Sequence, residues 1–321
     1  MKLSLLFILF ISMTIIYSCR ENNKFTDVTN PSIGGNYTIL KGNISGTLAL
    51  ENSPFLVMED IHILNGETVV INPGVTLFFD EDKKLKVEGA IIAIGTSQEP
   101  ITFTSYSQFW LGITIINSND TSKFKFCIVQ NVYKEIDDTM NSGAIEIDNA
   151  NLIFENSVVK INSSVYGGGL SLAYSTGILK NNIFRENDAE VYGGAMMLQH
   201  STAVIINNTI YNNSSFNYGG GIAILDPVSI ELQNNIFYRN FSFSGEGDPN
   251  ISIISGDSSS VRNNYNYLTI GTMDPKFISY ENLHLSLQSP CIDNGNPDTI
   301  YDDFNNTRND QGAFGGPGGN W

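Results

Sequence analysis

Residues 142–243 contain one pattern repeated four times, and this repeat restricts the fold more than any other feature of the chain. Each copy opens with a small-residue unit that closes on an apolar residue, and the closing residues lie 25, 26 and 26 positions apart: Ser142-Gly143-Ala144-Ile145, Gly167-Gly168-Gly169-Leu170, Gly193-Gly194-Ala195-Met196 and Gly219-Gly220-Gly221-Ile222. An apolar-x-x-Asn unit keeps nearly the same period, at 159–162, 184–187, 210–213 and 237–240. An internal period of this length indicates a solenoid or a related array.

Within each copy, short runs alternate apolar and polar residues, as in Ile145-Glu146-Ile147 and Leu170-Ser171-Leu172. This alternation predicts β-strands. A copy is too short for several strands plus a crossover helix of a dozen residues, which a βαβ sheet needs. If each copy forms one coil of about three strands, successive coils pair in parallel at about 4.8 Å. The sequence therefore predicts an all-β, single-stranded parallel β-helix, and the usual handedness of parallel connections favours the right-handed form.

An asparagine recurs with the period of the repeat, at Asn156, Asn182, Asn208 and Asn234. Stacked asparagine side chains can hydrogen-bond to the copies above and below, as they do in cross-β ladders. Glycine fits the corners between strands, where a Cβ would clash. We expect the four asparagines to form one structural column.

Residues 1–19 have the composition of an export signal. Met1-Lys2 precedes an apolar run, Leu3 to Ile16, which is too short for a comfortable membrane span. The following Ile16-Tyr17-Ser18-Cys19 resembles a bacterial lipobox, and this resemblance implies that Cys19 is lipidated. The alternative is an ordinary signal peptide with an incidental cysteine. Either interpretation predicts export.

The remainder divides into three parts by pattern. Residues 20–67 are polar and irregular, and we expect a tether and an N-terminal cap, because an open coil end exposes a pairing edge and apolar interior. The regular pattern predicts the β-helix over 68–271. The change of character after it predicts an irregular C-terminal cap over 272–321, in which Asp293, Asp302, Asp303, Asp310 and Arg308 make local ion pairs and turns.

Two families share motifs with this chain. Segments near both ends of the predicted β-helix resemble the pectin-lyase-like superfamily. The first runs from Asn72-Pro73-Gly74-Val75 to Pro100-Ile101-Thr102-Phe103-Thr104, and the closing ones are Ser289-Pro290-Cys291-Ile292-Asp293-Asn294-Gly295 and Asp310-Gln311-Gly312-Ala313-Phe314. That resemblance implies a right-handed β-helix, a fold on which enzymes cleave acidic polysaccharides. The Gly-Gly-Ala-Ile and Phe-x-x-Asn marks resemble repeats of the polymorphic outer-membrane protein family, which implies a surface protein linked to adhesion.

Charge and cysteine content restrict the partners. The net charge of −16 argues against nucleic-acid binding and against direct adsorption to anionic membranes, so a lipid anchor is the expected membrane contact. After Cys19 only Cys127 and Cys291 remain. Several coils should separate them, and a disulfide needs Cα atoms within about 7 Å. We expect two buried, unpaired thiols.

Catalytic residues are sparse. Pectin-hydrolysing relatives carry Gly-His-Gly and Arg-Ile-Lys motifs, and neither occurs here. The lyase relatives use an Arg or Lys base beside a carboxylate-bound Ca²⁺. The one dense candidate near the repeats is Arg185 with Glu186 and Asp188. One coil after Arg185 comes Tyr211 and then Phe237, so we expect no basic column. No cofactor is expected, and Ca²⁺ is left open.

Aromatic residues provide the stronger candidate for a binding site. Tyr166, Tyr192 and Tyr218 precede the glycine units and recur with the same period as the repeat. They could form a packing ladder that closes a corner, or an exposed strip on which sugar rings stack, since tyrosine offers an apolar face and a polar tip.

Together these features predict an exported, lipid-anchored, non-catalytic surface protein for adhesion or glycan binding, located at the outer membrane or cell surface of a Gram-negative envelope. Its expected partner is a carbohydrate or another cell-surface ligand, and the chain is expected to be a monomer. The alternatives are a polysaccharide lyase or glycoside hydrolase acting on acidic polysaccharide, and a purely structural stalk. Fold alone does not decide among them.

Overall fold

The alternating apolar residues form short parallel strands that stack into a β-solenoid of about eight turns. This architecture is seen in a computed structural model, which describes residues 36–135, 142–269 and 273–321. These residues belong to one unit, Asn36–Trp321. All pairings between the named strands are parallel, which confirms the all-β solenoid, while the right-handed form stays a prediction.

Three long faces enclose the core. Face one contains β1 (Thr38–Asn43), β3 (Phe55–Ile63), β5 (Thr76–Phe79), β8 (Ile101–Ser105), β11 (Cys127–Gln130), β14 (Val158–Lys160), β18 (Ile183–Arg185), β22 (Thr209–Tyr211), β26 (Ile236–Tyr238) and β30 (Tyr267–Leu268). Face two begins in the second halves of β1 and β3 and continues through β6 (Leu85–Val87), β9 (Ile113–Ile116), β12 (Ile145–Asp148), β16 (Leu170–Ala173), β20 (Met196–Gln199), β24 (Ile222–Leu225) and β28 (Ile251–Ser255).

Face three is a separate nine-stranded sheet. It contains β2 (Gly46–Leu48), β4 (Thr68–Ile71), β7 (Ala90–Ile94), β10 (Thr121–Lys125), β13 (Asn151–Glu155), β17 (Thr176–Lys180), β21 (Thr202–Ile206), β25 (Ser229–Gln233) and β29 (Val261–Asn264). Short 3₁₀ helices lie at Leu50–Asn52, Ser258–Ser260 and Thr299–Tyr301.

A fourth, smaller sheet adds to the expected three strands per coil. It contains β15 (Ser163–Tyr166), β19 (Asp188–Tyr192), β23 (Ser214–Ser215) and β27 (Phe241–Ser242). In the repeat region the chain therefore passes from face two to face three, to face one, and through the fourth sheet before it returns to face two. The expectation of about three strands per coil holds for turns outside the repeat region, such as β4–β6 and β28–β30.

Inward-facing apolar side chains form columns through the core. Val159, Phe184, Ile210 and Phe237, the apolar residues of the apolar-x-x-Asn units, are direct partners on successive strands of face one and are fully buried. This confirms that the apolar-x-x-Asn mark identifies equivalent positions. The asparagines that end these units also stack, with Asn162 to Asn187, Asn187 to Asn213 and Asn213 to Asn240 amide contacts of 2.9, 3.0 and 3.1 Å.

The predicted column Asn156, Asn182, Asn208, Asn234 is wrong in register, because it combines two adjacent columns. At the corner before face one, the left-handed backbone position is occupied by Asn156, Asn181, Asn207 and Asn234, with φ of 47, 57, 54 and 58°. Their neighbours Asn182, Asn208 and Asn235 point inward and form the buried ladder. The mixing arises because successive turns differ in length by one residue.

The C-terminal segment 273–321, here called the strap, packs along the outside of face one. Its Leu283 and Ala313 join Ile183 and Tyr211 in one apolar cluster, and its Cys291 joins Ile236 and Tyr267 in another. The corner asparagines hold it by hydrogen bonds: Asn156 to the Gly318 carbonyl, Asn181 to those of Ala313 and Gly315, and Asn207 to those of Asp310 and Gly312. The cap role predicted for 272–321 stays a prediction.

Both remaining cysteines are buried free thiols, as expected. Burial raises the pKa of Cys291 to about 12 and raises the pKa of Cys127 further, so both are protonated at neutral pH. Cys19 and the predicted export signal lie outside the described residues. Among the residues that are described, no helix is long and apolar enough to cross a membrane.

Candidate functional site

Tyr166, Tyr192 and Tyr218 stack on successive turns, as the spacing predicted. Tyr166 and Tyr192 are partners in the fourth sheet, and Tyr192 pairs with Tyr218 through an isolated bridge. Their ring centroids are 5.8 and 5.7 Å apart, with planes tilted by 43 and 44°. All three side chains are half-buried. The ladder is therefore neither an open strip nor part of the apolar interior.

The glycine after each tyrosine is required by backbone geometry. Gly167, Gly193 and Gly219 adopt φ of 63, 71 and 62°, which glycine adopts without the penalty of a Cβ. A Cβ on Gly168 would lie 2.4 Å from the carbonyl oxygens of Asp188 and Gly194, so the turns could not stack this closely with any other residue. The glycine units thus allow the chain to return to face two directly beside the tyrosine ladder.

The last tyrosine of the ladder is anchored by a carboxylate. The Tyr218 hydroxyl donates a hydrogen bond to Glu246, and this bond is the main reason that the pKa of Tyr218 is raised. The pKa of Tyr166 is also raised, chiefly by burial and then by the nearby Tyr192 hydroxyl. The Tyr166 and Tyr218 hydroxyls therefore remain neutral donors at physiological pH.

Three phenylalanines that the sequence interpretation missed lie in the same part of the solenoid. Phe216, Phe241 and Phe243 are 40, 53 and 57% exposed, in or directly beside β23 and β27 of the fourth sheet. The rings of Phe241 and Phe243 meet edge to face, with centroids 4.9 Å apart. They lack the period that marked the tyrosines, but Phe241-Ser242-Phe243 alternates as an exposed strand would.

We call these six residues, Tyr166, Tyr192, Tyr218, Phe216, Phe241 and Phe243, the aromatic surface. The tyrosine rings lie close to one another along the ladder and are half-buried. The phenylalanines present more of their apolar area. Such a surface combines apolar contact with hydrogen-bond donors, which is the combination that aromatic residues supply at binding interfaces.

The weak catalytic candidates do not form one group. Arg185 projects outward from face one, and its guanidinium donates to Glu186 at 3.0 Å, to Glu281 at 3.3 Å and to the Tyr280 carbonyl at 3.2 Å. The Tyr280 hydroxyl donates to the same Glu186 carboxylate. Asp188 lies in the fourth sheet and accepts a 2.6 Å hydrogen bond from Ser214. Arg185 is therefore held by the strap, apart from the sheet that carries Asp188.

The expectation that no basic column forms needs correction. Arg185 has Lys160 as its partner one turn earlier, and Tyr211 and then Tyr238 in the following turns. The equivalent position is Tyr238 and not the predicted Phe237, because this turn is one residue longer than the turn before it. Face one thus carries two adjacent cations, followed by two stacked tyrosines whose rings are 5.8 Å apart.

Three carboxylates cluster in the strap. Ligand oxygens of Asp293, Asp303 and Asp310 all lie within 4.8 Å of one another. Burial is the main cause that raises the pKa of Asp310 to about 6 and also raises that of Asp303. Arg308 does not bond to them here but donates to the Gly295 carbonyl at 2.9 and 2.6 Å.

This cluster is not assigned to a metal. Carboxylate oxygens suit Ca²⁺, the ion left open above, but Ca²⁺ takes about 6–8 oxygen ligands. Backbone N–H groups already bond to two of these carboxylates: that of Asp293 to Asp310, and those of Asp310 and Gly316 to Asp303. The cluster therefore has a structural role in the turns of the strap.

Comparisons with known proteins give little further information. No protein-family model matches the chain, and no solved structure matches it. A segment of 74 residues is 38% identical to part of Protein bark beetle of Drosophila melanogaster. The match covers 22% of this chain and 2% of the Drosophila protein, so it assigns neither a family nor a function.

Proposed function

We propose that this chain is an exported, lipid-anchored surface protein that binds carbohydrate, or another cell-surface ligand, through its aromatic surface and has no catalytic activity. The observation that carries the proposal is the combination of the tyrosine ladder with the exposed Phe241 and Phe243 on one small sheet. Apolar ring area next to neutral hydroxyl donors suits a sugar, whose ring has both C–H faces and hydroxyl groups.

The placement of Arg185 supports a binding protein over an enzyme. A lyase base has to reach its substrate proton within hydrogen-bond distance. Here the Arg185 side chain is 9% exposed, and its terminal nitrogens bond to Glu186, Glu281 and Tyr280. Cell attachment is a part of the proposal that depends on Cys19 alone.

A glycan array on the lipid-free chain tests the proposal, with release of new reducing ends measured in parallel. We expect the wild-type protein to bind a subset of glycans without releasing reducing ends. The double variant Phe241→Ser/Phe243→Ser should lose binding but keep its melting temperature, because both side chains are more than half exposed.

The matched control is Tyr174→Asn, which removes an aromatic that is 62% exposed at a different corner, between faces two and three. Asparagine tolerates the left-handed backbone at this position, where φ is 50°. Binding that survives the Phe double variant, or that is lost equally in the control, would refute the assignment to the aromatic surface. Release of reducing ends would favour the enzyme alternative, and an array without any binding would favour the stalk.

A further inference from the structure

A shallow pocket of about 190 Å³ lies where the strap meets the outer side of face one. Its floor is aliphatic, with Val158 and Ile183 on adjacent strands and Leu283 from the strap. Its polar groups are Lys160, Arg185 and Glu281. The pocket is on face one, whereas the aromatic surface is on the fourth sheet, so its occupant is independent of the proposed function.

Two cations meet at this pocket. Lys160 and Arg185 are direct partners on neighbouring parallel strands, and like charges placed opposite each other destabilise a sheet. The chain has 33 acidic residues against 17 basic ones, yet among the described residues no carboxylate pairs with Lys160. Within the part of the chain that the structure describes, this positive pair therefore persists with no carboxylate paired to Lys160.

The second cation, Arg185, is only partly satisfied. Its Nη1 and Nη2 atoms have the acceptors described above, but Nε is buried with no acceptor. Its partner Glu281 has a side chain that is 79% exposed, and an ion pair with such an exposed carboxylate contributes little. An incoming carboxylate could displace Glu281 at small cost and contact both cations.

We propose that this pocket binds the carboxylate of a small organic monoanion with an apolar body. The carboxylate would lie between Lys160 and Arg185, where charge-assisted hydrogen bonds are strong, and the apolar body would lie on Val158, Ile183 and Leu283. Glu186 neutralises one of the two positive charges of Lys160 and Arg185. Once Glu281 is displaced, a ligand with a single negative charge neutralises the other. The volume is below the roughly 300–1,000 Å³ of pockets for drug-sized ligands, which restricts the ligand to about one ring.

The test is an NMR titration of the full chain with labelled Ile, Val and Leu methyl groups. The probe is cyclohexanecarboxylate at neutral pH, and cyclohexanecarboxamide is its uncharged counterpart. We expect saturable shifts at the methyl groups of Val158, Ile183 and Leu283 with the carboxylate. The carboxamide should bind at least about tenfold more weakly, the factor expected for one lost charge-assisted hydrogen bond.

Three variants separate this site from general surface attraction. Lys160→Met should weaken binding of the carboxylate about tenfold or more, and Glu281→Gln should strengthen it, because it removes the competing carboxylate. Lys180→Met is the matched control, since Lys180 is a half-buried strand lysine of the same repeat region on face three, and it should have no effect.

The methyl spectrum of each free variant reports whether its core is intact. Equal affinity for carboxylate and carboxamide, unchanged binding in Lys160→Met, or weaker binding in Glu281→Gln would each overturn the proposal. Glycan binding by the aromatic surface could fail or succeed without changing any of these outcomes, so the two proposals are tested separately.

Discussion

The side-chain amide of Asn182 donates a 3.0 Å hydrogen bond to the side-chain carbonyl of Asn208, one turn further along the solenoid. The same carbonyl accepts the backbone N–H of Asn182 at 2.9 Å. Asn208 in turn donates to Asn235 at 3.0 Å. Each asparagine therefore supplies hydrogen-bond partners to backbone groups of the preceding turn, at a corner where strand pairing is interrupted. Buried backbone N–H and C=O groups require such partners.

Removal of one member of this ladder should strongly destabilise the protein. Asn208→Ala removes the acceptor for Asn182 and the donor for the carbonyls of Leu179 and Ile206. Each stranded buried group costs about 1–3 kcal/mol, so we expect the free energy of unfolding to fall by more than about 2 kcal/mol. Equilibrium denaturation in urea measures this loss.

Asn119→Ala is the control, because Asn119 is exposed. Surface changes of this kind usually alter stability by no more than about 0.5 kcal/mol. If the two variants unfolded at the same denaturant concentration, Asn208 would contribute no more than a surface asparagine, and the ladder could not stabilise the corner.

The sequence was sufficient to predict parallel stacking, because alternating apolar runs at a fixed period leave few other ways to bury a core. It was not sufficient for the exact register. The spacing of the corner asparagines Asn156, Asn181, Asn207 and Asn234 grows by one position at each turn. A single fixed period therefore selects asparagines of the corner column in some turns and asparagines of the neighbouring column in others. The doublets Asn181-Asn182, Asn207-Asn208 and Asn234-Asn235 were the available signal that two columns exist.

The candidate sites were predicted to different degrees for physical reasons. The tyrosine ladder follows from stacking alone, so its period revealed it. Lys160 and Arg185 are 25 positions apart, whereas the tyrosines repeat every 26 positions. The period of the tyrosines therefore does not identify this pair. The packing of the strap on face one depends on contacts between residues far apart in the chain, such as Asn207 with Asn309, and no local pattern encodes these.

The corner asparagines should control how firmly the strap is held. Asn207 donates to the carbonyls of Asp310 and Gly312 at 2.9 and 3.2 Å. Asn207→Gly keeps the left-handed backbone available while it removes these bonds. We expect faster hydrogen exchange at strap amides such as that of Gly312, which bonds to the Asn234 carbonyl, and little change at the amides of face three.

Asn207→Ala serves as the comparison variant. It removes the same amide and also forces a residue with a Cβ into the left-handed conformation, at about 1–2 kcal/mol more. It should therefore be less stable than Asn207→Gly, with the same local acceleration of exchange. Unchanged exchange in the strap of both variants would contradict a role for Asn207 in holding it.

The proposed lipid attachment depends on Cys19, which lies outside the described residues. Cys19→Ala should abolish labelling by a palmitate analogue and move the protein from the membrane fraction to the soluble exported fraction. Cys127→Ala is the control, because Cys127 is a buried thiol and should not affect labelling. Continued labelling of the Cys19→Ala protein would contradict the lipobox interpretation while leaving export by an ordinary signal peptide intact.

Asp310 should make the stability of the chain depend on pH in a specific direction. Burial raises the pKa of Asp310 to about 6, and the nearby Asp303 and Asp293 carboxylates add to this, while the bond from the Asp293 N–H opposes it. The folded state therefore holds more protons than the unfolded state between about pH 4 and pH 6. The free energy of unfolding contributed by Asp310 is fully present below this window and is lost as the pH rises through it.

The variant Asp310→Asn isolates this contribution from the other carboxylates of the chain. Asparagine can still accept the N–H of Asp293 but carries no charge, so the variant should be the more stable protein at about pH 7 and should lose its advantage toward about pH 4. Asp302→Asn, which changes a neighbouring aspartate outside the three-carboxylate cluster, should leave this pH dependence unaltered. The measurement is the urea midpoint of the three proteins across this range, and parallel curves for wild type and Asp310→Asn would show that Asp310 does not titrate differently in the folded state.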